Sequence, residues 1–182
     1  RPSISQHIFQ PMINNMNIIL LFIVPLFTMR LLAEERRDQT VQLLFTAPIH
    51  PFAIILGKYL SALGLILVML LLTTIYPIIL IVSGKPDIGV IVCGYLGVTL
   101  LAATYVAIGL FWSSVTENQI IAAVLTFCNL LLLLLISWAA AQASPGWKMA
   151  LEQISIINHF KGFLRGTINT ADLTYFITFI GF

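Results

Sequence analysis

Four stretches of this chain, at about 12–29, 59–84, 88–114 and 118–141, contain no Asp, Glu, Lys or Arg. A helix rising 1.5 Å per residue needs about 20 residues to cross a hydrocarbon core about 30 Å thick, so each run is long enough to span a bilayer. A fifth apolar run begins near Leu173 and continues to Phe182. Only helices and closed barrels satisfy every backbone polar group in lipid. Unbroken apolar runs of this length select helices, because barrel strands need only about 10 residues with alternating polarity. The expected fold is all-α: a polytopic transmembrane helix bundle. Its expected spans are about 12–32, 55–82, 88–113, 117–141 and 172–182, the last incomplete, within one membrane domain over 1–182. Pro25 is expected to kink the first.

Composition agrees. The chain is 59% hydrophobic and 9% charged, against about 25% charged in an ordinary soluble domain. A net charge of +2 without a basic, aromatic-rich run leaves no footprint for nucleic acid. Residues 1–16 lack the basic region and apolar core of a secretory signal, and both chain ends read as cut within a longer protein. No ionisable residue lies at mid-span, which argues against an ion-coupled transporter or proton pump. Small residues at Gly94, Gly97, Ala102, Ala103 and Ala107 would let helices approach closely, although Gly94 and Gly97 do not form GxxxG. Cys93 and Cys128 sit in apolar runs and read as buried small hydrophobes.

The charge that the chain does carry is concentrated. Arg30, Glu34, Glu35, Arg36, Arg37 and Asp38 lie together between the first two apolar runs. Burying a charge at mid-helix costs about 2.5–3.5 kcal/mol, so this stretch belongs in water or at the interface. Glu34 and Arg37 have the spacing of a helical ion pair. Val41, Leu44 and Phe45 then form an i, i+3, i+4 apolar stripe, and Pro48 and Pro51 interrupt helical hydrogen bonding. The pattern predicts a charged elbow and a short amphipathic helix over 33–48, lying on the membrane with its polar side offered to a soluble partner.

The other connections differ. "SGKPDIG" (83–89) predicts a tight turn. In "SSVTENQ" (113–119), Thr116 and Gln119 have capping-box spacing, which would start the fourth span near Glu117. The connection at 142–171 is half polar. Ser144 and Pro145 suit a helix start, and Trp147, Leu151, Ile154, Ile157, Phe160 and Leu164 form a stripe, with Lys148, Glu152, Ser155 and His159 off it. An interfacial or re-entrant helix is expected there. Arg30, Arg36, Arg37 and Lys58 in the first connection, against Lys85 in the next, place 30–58 and 113–119 in the cytoplasm and 83–89 and 142–172 outside.

No catalytic motif is present. "GKY" (57–59) lacks the first glycine and the hydroxyl residue of a phosphate-binding loop, so Lys58 is expected to snorkel at a span end. His7, His50 and His159 are far apart in sequence, without nearby acidic or cysteine ligands, which predicts no metal site.

Three segments together carry a resemblance. "MRLLAEERRDQTVQLLFTAPIHPFAIILGKYLSAL" (29–63), "GYLGVTLLAATYVAIGLFWSSVTENQIIAA" (94–123) and "INHFKGFLRGTINTADLTYF" (157–176) resemble, in order, parts of ABC-2-type transporter permeases, most closely the gliding-motility (GldF-like) subfamily. The resemblance implies a six-span, multi-pass permease subunit of the bacterial inner membrane, here without its first span and most of its last. It implies that 33–48 is a coupling helix docking on a separate ABC ATPase subunit. Glu34, Glu35, Arg36, Arg37, Thr40 and Gln42 would contact that subunit, with Thr116 and Glu117 as a second contact. Val41, Leu44 and Phe45 would seat the coupling helix on the membrane domain. The family often has Gly where Gln39 stands and Glu where Gln42 stands. The resemblance further implies a dimer with a second permease subunit, homo- or heteromeric, within the lipid bilayer. This chain would hold no cofactor and no metal, since ATP and magnesium would sit on the ATPase, and it would not itself be an enzyme. Export is the expected direction. A non-transporting scaffold subunit of a motility or secretion complex is the alternative function.

Overall fold

The computed structural model describes residues 9–37, 50–83, 87–142, 145–167 and 169–181, and all regular structure among them is helical. In chain order these are α1 (Gln10–Thr28), α2 (Ala33–Arg37), α3 (Pro51–Thr73), α4 (Ile75–Ser83), α5 (Ile88–Val115), α6 (Gln119–Gln142), α7 (Pro145–Ile154), α8 (Ile156–Leu164) and α9 (Thr170–Gly181). Four helical stretches, Gln10–Arg37, Phe52–Ile79, Ile88–Val115 and Gln119–Ala140, are long and apolar enough to cross a membrane. Large apolar side chains such as Phe22, Leu60, Val68, Leu72, Ile120 and Trp138 lie exposed along them. In water such surface would drive aggregation, whereas in lipid it is the expected outer coat.

Helix α5 is the hub. It packs against α1, α3, α6, α8 and α9, and α1 is its most extensive neighbour. Residues 94, 98, 101, 105, 109 and 113, spaced by three or four, form one face of α5, and all are buried. Along that face α1 makes three close approaches. The Phe9 ring lies where a side chain on Gly94 would be, 2.8 Å from an ideal Cβ. The Tyr105 hydroxyl donates to Asn17 Oδ1 at 2.8 Å, with both residues buried. Thr28 packs on Gly109 so closely that an added Cβ would stand 2.2 Å from its Oγ1. Gly97 does the same for α8, since a Cβ there would meet Phe163 at 2.7 Å. Gly94, Gly97 and Gly109 of α5 are therefore notches, filled by Phe9, Phe163 and Thr28 in turn.

The second apolar run is divided. Helix α3 ends at Thr73, and α4 resumes at Ile75. Pro77 explains the break: it lacks the N–H that would bond the Thr73 carbonyl, and its ring crowds that carbonyl. The Thr74 N–H turns to Leu71 O instead, at 3.1 Å, and the Thr74 hydroxyl donates to the same oxygen at 2.6 Å. Pro25, by contrast, lies inside α1, which continues to Thr28.

Three local expectations are corrected. The stripe at 144–164 is two helices, not one. Ser155 separates them, accepting the Asn158 N–H at 3.3 Å as the N-cap of α8 and donating to Ser137 Oγ of α6 at 2.7 Å. The expected cap at Ser144 lies outside the described residues. The Thr116 capping box does not form: the Thr116 hydroxyl donates back to Trp112 O at 3.0 Å at the end of α5. Asn118 caps α6 in its place, accepting the Ile120 N–H at 2.9 Å, because an Asn at Ncap reaches the N2 amide more directly. Cys128 is exposed rather than buried, and Cys93 is half-buried. Residues 84–86 of the expected turn at 83–89 lie outside the described residues; after them, Asp87 caps α5 by accepting the Gly89 N–H at 3.0 Å.

Candidate functional site

The charged elbow begins where α1 runs out. After Thr28 the chain turns, with Met29 N–H still bonded to Pro25 O at 3.0 Å and Leu31 N–H to Thr28 O at 3.1 Å. Helix α2 then carries Ala33 to Arg37. Glu34 and Glu35 occupy its first turn and Arg36 and Arg37 its last, the arrangement that suits the helix dipole.

Ser113 of α5 holds this turn in place. Its Oγ accepts the Leu32 N–H at 3.0 Å and the Ala33 N–H at 3.1 Å, and its hydroxyl points to Met29 O at 3.3 Å. Ser113 and Ala33 are both fully buried. The amides at the start of α2 have no helical acceptor of their own, so a side-chain oxygen from another helix takes the part of a cap. Lys58 of α3 makes a second tie. Its ammonium pairs with Glu35 Oε1 at 2.5 Å and also donates to Leu31 O. Lys58 therefore joins α3 to the elbow instead of snorkelling, as was expected from its position. Among the described residues the expected Glu34–Arg37 ion pair is not formed, and the half-buried Glu35 is the carboxylate that meets a cation.

Glu34, Arg36 and Arg37 are exposed beside this clamp, as is Arg30. Thr116 and Glu117 follow Ser113 by about one turn, so they lie at the same end of the bundle as the elbow. Thr116 is half-buried and Glu117 is exposed. Helix α2 also touches α6, which starts just after them. The structure thus brings together Glu34, Glu35, Arg36, Arg37, Thr116 and Glu117. Thr40, Gln42, Val41, Leu44 and Phe45 fall outside the described residues, as does most of 33–48.

Two further features were not foreseen. His159 of α8 lies 2.6 Å from Asp172 Oδ1 through Nδ1 and 3.1 Å from Gln153 O through Nε2, while the Tyr175 ring stacks on it at 4.3 Å. This joins α7, α8 and α9 at the end opposite the elbow, where Gln10 of α1 also donates to Leu164 O at 2.9 Å. The pair is 13 residues apart, a separation that no helical period flags. The other is a cavity of about 380 Å³ between α1 and the α3–α4 run, lined by Met12, Asn15, Met16, Ile66, Met69 and Tyr76 among others. Among the described residues no cluster of three or more His, Cys, Asp or Glu could hold a metal ion.

Among the described residues the arrangement is that of a helical bundle with a charged polar end tied to its neighbouring helices by Ser113 and Lys58. A family model described as "ABC-2 family transporter protein" matches residues 3–160. No curated protein and no solved structure matches the chain. The family's membrane domain is a transmembrane permease subunit, not itself catalytic, and normally partners with an ABC ATPase. The match covers most of the chain, which is therefore a multi-pass membrane protein belonging to the ABC-2 family of transporter proteins.

Proposed function

We propose that this chain is the permease subunit of an exporter in the bacterial inner membrane, driven by a separate ATPase that docks on 33–48. The observation that carries the reading is the clamped elbow: exposed Glu34, Arg36 and Arg37 stand on a turn fixed to three other helices. A solvated topology loop needs no such anchoring. On this reading the elbow end faces the cytoplasm, which agrees with its excess of Lys and Arg. Thr116 and Glu117, at the same end, supply the second contact. ATP and magnesium are bound by the partner, and nucleotide biases two packings of a permease dimer that lie close in energy. The gliding-motility subfamily is the nearest resemblance in the quoted segments and leaves the cargo open.

The test replaces Glu34, Arg36 and Arg37 together by Ala, leaving Glu35 and Lys58 intact. The ATPase that co-purifies with the wild-type chain from its native membrane should be recovered at least about threefold less well, since truncating interfacial charges weakens a complex by this order or more. The variant should keep its thermal stability in detergent. Equal recovery of the ATPase would remove these residues from the contact. Absence of any ATPase from the wild-type preparation would favour the scaffold reading.

A further inference from the structure

Ser113 opens the 113–119 connection and carries no charge, yet it ties three backbone groups of the elbow. One hydroxyl accepts two backbone amides, of Leu32 and Ala33, and points to a third backbone group, the Met29 carbonyl. It is fully buried, so water does not compete for these bonds. One turn earlier on the same face of α5, Gly109 admits Thr28 to direct contact. One turn before that, Tyr105 bonds Asn17. Three successive turns of α5 are thus keyed to α1 and the elbow.

The other tie has a different character. Lys58 and Glu35 meet through long side chains that retain about a quarter of their surface in solvent, 21% and 31%. The Lys58 ammonium also donates to Leu31 O, but it reaches both oxygens from the end of a flexible four-carbon stem. Helix α3 also stands off α1 along the cavity lined by Met16 and Met69. The Ser113 hydroxyl sits one bond from its Cβ on a fully buried residue, whereas Lys58 grips the elbow from the end of a long stem, so the backbone of α5 is tied to the elbow more directly than that of α3.

We infer that Ser113 is a positioning residue for coupling: it makes α5, together with α1, follow any displacement delivered to the elbow, while α3 is joined more loosely. The inference rests on the proposed docking of an ATPase at the elbow. Rigid elements joined at buried, discrete contacts transmit small shifts, while compliant ones absorb them. Residue 92, near the far end of α5 and exposed, should then sense nucleotide bound beyond the elbow.

The test uses the complex of this chain with its co-purifying ATPase, in nanodiscs. An environment-sensitive fluorophore is attached through Val92→Cys in a background carrying Cys93→Ser and Cys128→Ser. Magnesium and a non-hydrolysable ATP analogue are the probes. The parent should show a nucleotide-dependent change in emission. Ser113→Ala should cut that change by about fivefold, the factor set by losing a buried hydrogen bond, with the ATPase still bound at parental stoichiometry. Ser113→Thr, which keeps the hydroxyl, should restore most of it. An undiminished response in Ser113→Ala overturns the inference. So does equal loss in the Thr variant, which would assign the effect to packing, or a parent that shows no response. Failure of the parent complex to contain an ATPase is a separate result: it removes the docking reading itself, and this inference with it.

Discussion

A Cβ at position 109 would stand 2.2 Å from Thr28 Oγ1, and one at 97 would stand 2.7 Å from Phe163 Cβ. Neither neighbour is the free end of a long side chain, so accommodating a larger residue means moving a helix. Gly109→Val should destabilise the bundle by about 1–3 kcal/mol, the usual cost of overpacking, seen as a lower thermal midpoint in detergent. Gly57 and Gly64 of α3, where nothing lies within 4 Å of an added Cβ, are the controls; Ala there should leave the midpoint unchanged or raise it. The Tyr105–Asn17 bond calls for a smaller effect. Tyr105→Phe should cost about 0.6 kcal/mol and no more than about 1.7, the range for interhelical bonds in membranes. A loss well beyond that range would mean that the hydroxyl has duties besides this one bond.

Among the elements, α7 and α8 form a corner at the end opposite the elbow. Helix α8, at nine residues, is about 14 Å long, too short to cross a bilayer. It is held by its apolar face, with Phe160 and Phe163 against Gly97 and Phe163 edge-on to Phe176. The turn into it depends on Ser155, which caps α8 and reaches Ser137. Ser155→Ala should speed hydrogen exchange at the first amides of α8 by about fivefold to thirtyfold, the equivalent of losing a cap worth about 1–2 kcal/mol. Exchange in α5 should stay as in the parent. Unchanged exchange at 156–158 would show that packing alone fixes the corner. The sequence made the helices legible because a run of apolar residues is a local signal, and the same holds for the amphipathic stripe at 145–164. It hid the break at Ser155, because that residue reads as an ordinary polar position until Ser137 is found opposite. It hid the cap at Asn118 for a related reason, since Thr116 and Gln119 offered a spacing that fits an equally familiar motif.

For the whole molecule, the four long apolar helices were readable and the ties between them were not. Charge-free runs place helices, and a charge cluster places a turn, by the cost of burial alone. Ser113 carries no such mark: its partners are 80 to 84 residues away, and a serine near a helix end looks like many others. Lys58 could be placed at a span end by its charge, but its pairing with Glu35 depended on how α1 and α3 lie together. The small residues of α5 were visible as a stripe of possible close approach, while the side chains that fill them come from α1 and α8, before and after it in the chain.

That distance has a consequence for how the protein is made. Gln10, at the start of α1, bonds the carbonyl of Leu164, 154 residues further along. At synthesis rates of about 5–20 residues per second, the intervening chain takes roughly 8–30 s to emerge. During that interval Phe9 can already sit on Gly94, but the notch at Gly97 stays empty, because Phe163 has not yet been made. A chain stalled before α8 would leave the Gln10 amide and the notch at Gly97 without the partners that the finished bundle gives them.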